Sequence, residues 1–114
     1  KKNGSDLFAD KTVIELGAGC GLAGFIAAQF SKFTAITDGN EVVLRLIKRN
    51  IDEKVAVCTG VHDGVVKACE LIWGQKQKVV EFLEDSSSPF PDIIVGADVI
   101  LWPAYTRALL LTVR

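Results

Sequence analysis

Residues 13–25, VIELGAGCGLAGF, place Gly17, Gly19, Gly21 and Gly24 between a strand-like apolar run and a helix-like apolar run, with Glu15 just ahead of them. Glycines directly after a strand let a ligand approach the backbone closely. Three chemistries use such a turn. A phosphate-cradling P-loop needs Gly-Lys-Ser/Thr after its glycines, and that is absent. A dinucleotide fingerprint, GxGxxG, fits Gly19, Gly21 and Gly24, and Asp38 follows where a ribose-binding acid belongs. The turn begins at Gly17, however, and a fingerprint counted from there puts Leu22 in the third place. Glu15 would also stand near the diphosphate and repel it. The third chemistry is S-adenosylmethionine, which has a ribose and an adenine, no phosphate, and a sulfonium and an ammonium. A carboxylate beside the turn favours such a cation.

The elements that must position these residues follow from periodicity. Segments 12–16, 33–37, 65–73 and 92–97 read as strands, the first β-branched and apolar enough to be buried. Segment 21–31 reads as a buried helix, and segment 41–54 as an amphipathic helix N-capped by Asn40. A short helix fits 78–84, and another starts at Pro103, a residue suited to a first helical turn. Residues 1–11 read as a leading loop, and 55–64 as a loop around Gly60 and Gly64. Strands alternating with helices predict an α/β fold, a Rossmann-like, doubly wound, mostly parallel sheet. Ligands bind such sheets at the carboxyl ends of the strands.

The totals narrow the class. The chain has 114 residues, so one domain is expected, and 49% hydrophobic residues support a buried core. A net charge of −1 gives no electrostatic case for nucleic acid or an anionic membrane surface. No apolar run reaches the roughly 20 residues that span a bilayer. Cys20, Cys58 and Cys69 form no CxxC pair, which disfavours a zinc site or disulfide framework. A reducing compartment, the cytoplasm with the nucleus as the other choice, is expected. No metal is implied. With no methionine and only four strands, the chain reads as part of a longer polypeptide extending at both ends.

Four motifs together carry a family resemblance: VIELGAGCGLAG (13–24), ITDGN (36–40), ELIWG (70–74) and DIIVGADVILW (92–102). The first resembles motif I of the seven-β-strand, or class I, S-adenosylmethionine-dependent methyltransferases. The second resembles their acid at the end of strand two. The last two are similar to the protein-lysine branch, methyltransferase family 16. The resemblance covers most of the chain and implies sheet order 3-2-1-4 for the strands present.

The roles that this resemblance implies are as follows. The backbone of Gly17, Ala18 and Gly19 meets the methionine part of the cofactor, with Glu15 beneath it. Asp38 accepts the ribose hydroxyls, Gly39 and Asn40 border the adenine, and Trp73 packs on it. Ala97 and Asp98 line the site from the fourth strand, with Asp98 holding or orienting the incoming ammonium of a lysine in a protein substrate. The family pattern has Tyr or Phe three residues after that acid; here Leu101 stands there and Trp102 follows. A [DN]PP[YF] motif, frequent in methylases of amide or base amino groups, is absent. Two other classes remain open at this point: an NAD-dependent oxidoreductase domain, and an inactive module that keeps the methyltransferase fold.

Several residues have plain structural readings. Cys20 is a small filler without a partner histidine. His62 falls in a solvated loop, and Arg45, Lys48 and Arg49 make an exposed helix face. Trp73 could equally be an ordinary core tryptophan.

Overall fold

The computed structural model describes residues 4–58, 64–85 and 87–114. Four strands, β1 (Thr12–Glu15), β2 (Phe33–Asp38), β3 (Val65–Glu70) and β4 (Ile93–Val95), form one sheet in the order β3-β2-β1-β4. Every pairing is parallel, with Val13 opposite Thr34 and Ile93, and Thr34 opposite Val66. This is the expected α/β, Rossmann-like sheet in the expected order. The two central strands are buried on both faces, which explains why β1 and most of β2 read as apolar or β-branched without alternation.

The helices are α1 (Gly4–Phe8), α2 (Leu22–Ala28), α3 (Glu41–Cys58), α4 (Lys76–Glu84) and α5 (Pro103–Val113). Alternate residues of the central strands serve different partners. Ile14, Leu16, Phe33 and Ala35 form a core with Leu71 and Leu109, against which Val79 and Phe82 of α4 pack. The intervening residues Glu15 and Ile36 meet α2 at Gly24. The period-2 geometry of a strand thus builds two separate layers on one sheet.

Hydrogen bonds continue past the strand ends. Leu16 N–H donates to Val95 O at 2.9 Å, Ala18 N–H to Thr37 O at 2.9 Å, and Leu71 N–H to Asp38 O at 3.1 Å. These bonds gather the carboxyl ends of all four strands into one place.

Three expectations need correction. The leading segment contains a short helix, α1, rather than only loop; Asp6 lies in its first turn, where an acid opposes the helix dipole favourably. The third strand stops at Glu70, whose register partner Asp38 is the last residue of β2; Gly74, at φ +77°, then turns the chain ahead of α4. The second long helix runs to Cys58, since no glycine or proline interrupts the sequence before Gly60. Gly60 and His62 lie outside the described residues. Among the described residues no helix is long and apolar enough to cross a membrane.

Candidate functional site

Asp38 ends β2, and its carboxylate organises the turn beside it. Oδ2 accepts a hydrogen bond from Gly19 N–H at 3.2 Å, and Oδ1 accepts one from Asn40 N–H at 2.9 Å. Asn40 caps α3 as expected, its Oδ1 accepting from Val42 N–H at 2.9 Å and Val43 N–H at 3.2 Å. The acid therefore joins the glycine turn after β1 to the start of α3.

Three glycines of that turn, Gly17, Gly19 and Gly21, occupy the left-handed region, and the first two flank the site. Gly17 (φ +61°) lies under the Trp73 ring so closely that a Cβ there would stand 2.6 Å from Trp73 Cζ2. Gly19 (φ +56°) has nothing within 4 Å of the same position, so the turn is open above it. Only glycine fits the first for lack of space, and glycine suits the second for backbone reasons alone.

Beside this turn lies a cavity of about 280 Å³. Gly17, Asp38, Gly39 and Asn40 form its polar side, and Leu71, Ile72 and Trp73 its apolar floor. Tyr105 and Ala108 of α5 close the remaining side. Asp38 is the one charged side chain among these residues, and no lysine or arginine joins it. A cavity with an acid and no base repels phosphate and accepts hydroxyls or a cation.

Glu15 is placed differently from a ligand-facing acid. Its side chain is 2% exposed, and Oε2 accepts from Gly24 N–H in the first turn of α2 at 2.7 Å. Burial pushes its carboxyl upward; the Gly24 hydrogen bond pulls it back, and nearby Asp38 raises it further. A helix N-terminus is where a dinucleotide diphosphate would bind. Here the chain's own carboxylate already takes that position.

The structure thus brings Gly17, Asp38, Gly39, Asn40 and Trp73 to the lining of one cavity. Ala18 is half-buried, with its N–H committed to Thr37, and Gly19 reaches the site through Asp38. Ala97 and Asp98 are exposed in the loop after β4 and do not line this cavity. Asp98 adopts φ +56°, a conformation that Asp and Asn enter more readily than other side chains. Val99 follows it, 3.1 Å from the position a Gly17 Cβ would take, so this loop flanks the same turn. Leu71 and Ile72, within the ELIWG segment, also line the cavity without having been given a role, and Tyr105 and Ala108 are lining residues outside the motifs. Their signal was helical spacing: Tyr105 and Ala108 share one face, i to i+3, of the helix that Pro103 starts.

A family model described as lysine methyltransferase matches residues 1–114. The chain belongs to the lysine methyltransferase family. Among relatives, it is 37% identical over 115 residues to a calmodulin-lysine N-methyltransferase of Arabidopsis thaliana, covering 99% of this chain and 35% of that one. It is 34% identical over 110 residues to EEF1A lysine methyltransferase 3 of Mus musculus, covering 94% and 40%. With protein N-lysine methyltransferase METTL21A of Danio rerio it shares 34% identity over 104 residues, covering 91% and 43%. The chain therefore spans well under half the length of these family members. Nothing in the family match supports the oxidoreductase alternative, and the Glu15–Gly24 contact supplies a physical reason against it.

Proposed function

We propose that this chain carries the cofactor-binding part of an S-adenosylmethionine-dependent methyltransferase acting on a lysine side chain in a protein. The observation that carries the reading is Asp38: an acid tied to the glycine turn, in a cavity without any base. The donor set fits the cofactor. Asp38 would accept the two ribose hydroxyls, and hydrogen bonds to a charged acceptor are worth roughly 1.5–3 kcal/mol. Gly39 and Asn40 would border the adenine, and Trp73 would pack on it. The backbone of Gly17, Ala18 and Gly19 would meet the methionine part, with the buried carboxylate of Glu15 beneath the turn.

What the cofactor supplies is a methyl group on a sulfonium, open to direct displacement by a neutral amine. The protein's task is alignment, which can provide much of the rate. A free lysine has a pKa of ~10.4, so only about one in a few thousand is neutral at pH 7. Desolvation at the mouth of the site would lower that value. Asp98, in the loop flanking Gly17, would hold and orient the incoming ammonium before its proton leaves. Ala97 would line the same mouth. No general base is assigned, and no metal takes part. The reaction would take place in a reducing compartment, the cytoplasm, in keeping with cysteines that stand singly at Cys20, Cys58 and Cys69.

The test is transfer of radiolabelled methyl from S-adenosylmethionine to protein, followed by acid hydrolysis and identification of the labelled amino acid. Labelled methyllysine that disappears in Asp38→Ala is the expected result. Label in another amino acid would overturn the lysine assignment. Cofactor binding without any transfer would favour an inactive module, a reading to which Leu101 in place of the family aromatic would then point.

A further inference from the structure

The loop that carries Trp73 is pinned to α5. Gly74 N–H donates to Thr112 Oγ1 at 2.9 Å, and that hydroxyl donates to Ala108 O at 2.9 Å. Gly74, at φ +77°, passes so near the helix that a Cβ there would stand 3.2 Å from Ala108 Cβ. This contact fixes the register of α5 against the cavity. Ala108 comes to face it, and Tyr105, one turn earlier, faces it too.

The two residues differ in what they offer. Ala108 is small and half-buried, already occupied with Gly74. Tyr105 is 61% exposed, so most of its ring is available to a ligand. The cavity floor already holds one aromatic, Trp73, and Tyr105 stands on its α5 side. A flat base gains from each aromatic surface it rests on, whichever base it is. Trp102 is equally exposed, at 64%, and lies one turn from Tyr105 on the same helix end, yet it does not line the cavity.

We infer that Tyr105 is a cofactor-contact residue, forming a second aromatic wall against the adenine of S-adenosylmethionine. The inference rests on the proposed function and adds a residue outside the recognised motifs. Its ring, rather than its hydroxyl, makes the contact.

The test is calorimetric titration of S-adenosylhomocysteine into the wild-type protein and into Tyr105→Ala, Tyr105→Phe and Trp102→Ala, with the melting temperature of each followed alongside. Tyr105→Ala should bind on the order of ten-fold more weakly, while Tyr105→Phe stays within about two-fold and Trp102→Ala is unchanged. Since Tyr105 is mostly exposed, its removal should leave the melting temperature within a few degrees of wild type. Wild-type affinity in Tyr105→Ala would overturn the inference while leaving the proposed function intact. Equal weakening in Tyr105→Phe would overturn the ring contact, and equal weakening in Trp102→Ala would mean a general effect of the helix end. Failure of the wild-type protein itself to bind would instead overturn the proposed function, and the inference with it.

Discussion

The carboxylate of Glu15 lies 2.7 Å from the amide of Gly24, inside the first turn of α2, with its side chain 2% exposed. A negative charge from the chain itself thus neutralises the helix N-terminus that a dinucleotide phosphate would need. The same contact explains Gly24, where a Cβ would run into Glu15 Oε2 and would stand 2.7 Å from Ile36 Cγ1.

Gly24→Ala should therefore destabilise the protein, by about 1–3 kcal/mol from overpacking. In an ordinary helix the same change stabilises by roughly 0.5–1 kcal/mol. Urea unfolding separates the two, because a higher midpoint in the variant would contradict the packing described.

Glu15 also sets a pH dependence. Its folded carboxyl sits above the ordinary value of 4.5, chiefly through burial. The folded state then binds the proton more tightly than the unfolded state. The stability this group contributes is fully present below pH 4.5 and is lost as pH rises through its raised folded value. Glu15→Gln keeps an acceptor for Gly24 and removes the charge. The stability of the variant relative to wild type should grow from pH 4 to pH 8 in a series of urea midpoints. A relative stability that falls over that range would contradict the buried, ionisable role. Glu15→Ala, which leaves the Gly24 amide without its partner, should cost about 1–3 kcal/mol.

Gly17 and Gly19 should respond differently to alanine. Both have positive φ, so each variant carries strain of roughly 1–2 kcal/mol. At Gly17 the added carbon would also displace Trp73, which lines the cavity, whereas at Gly19 it enters open space. Stability should fall in both variants, and further in Gly17→Ala. Intrinsic tryptophan fluorescence should change only in Gly17→Ala. An unchanged spectrum there would show that Trp73 does not depend on Gly17.

Thr112 should matter despite its distance in sequence from every motif. Thr112→Val removes the hydroxyl that accepts from Gly74 N–H, while Thr112→Ser keeps it. Thr112→Val should weaken S-adenosylhomocysteine binding several-fold by loosening the Trp73 loop, with recovery in Thr112→Ser. Identical affinities in the two variants would remove the hydroxyl from the account.

The sequence carried the architecture through periodicity. Unbroken apolar runs such as Thr12–Leu16 marked central parallel strands, and Asn40 marked the start of α3. Asp38 is legible from its spacing after the glycine turn and Asn40 from its capping position, whereas the site roles of Gly39, Asn40 and Trp73 rest on the resemblance to class I methyltransferases. Glu15 could be named but not oriented. Whether a strand residue faces a ligand or the underside of a helix depends on which layer its face meets, and one residue's register decides that. Tyr105 was hidden for a related reason. It reaches the cavity through the Gly74–Thr112 contact, 38 residues apart in the chain, and no local spacing encodes that approach. The tail of α3 is not legible in the sequence, because Gly60 and Gly64 signal a loop without fixing where it begins.

The proposed function requires that the cavity at Asp38 receive S-adenosylmethionine rather than a dinucleotide. The most direct measurement is calorimetric titration of the protein with S-adenosylhomocysteine, and in parallel with NAD, for wild type, Asp38→Asn and Asp38→Ala. Micromolar binding of S-adenosylhomocysteine is expected, weakened at least ten-fold in Asp38→Ala and less in Asp38→Asn, with no heat from NAD. The loss in Asp38→Ala corresponds to about 1.5–3 kcal/mol for hydrogen bonds to a charged group. Binding of NAD alone would overturn the proposed function and return the glycine turn to a dinucleotide site.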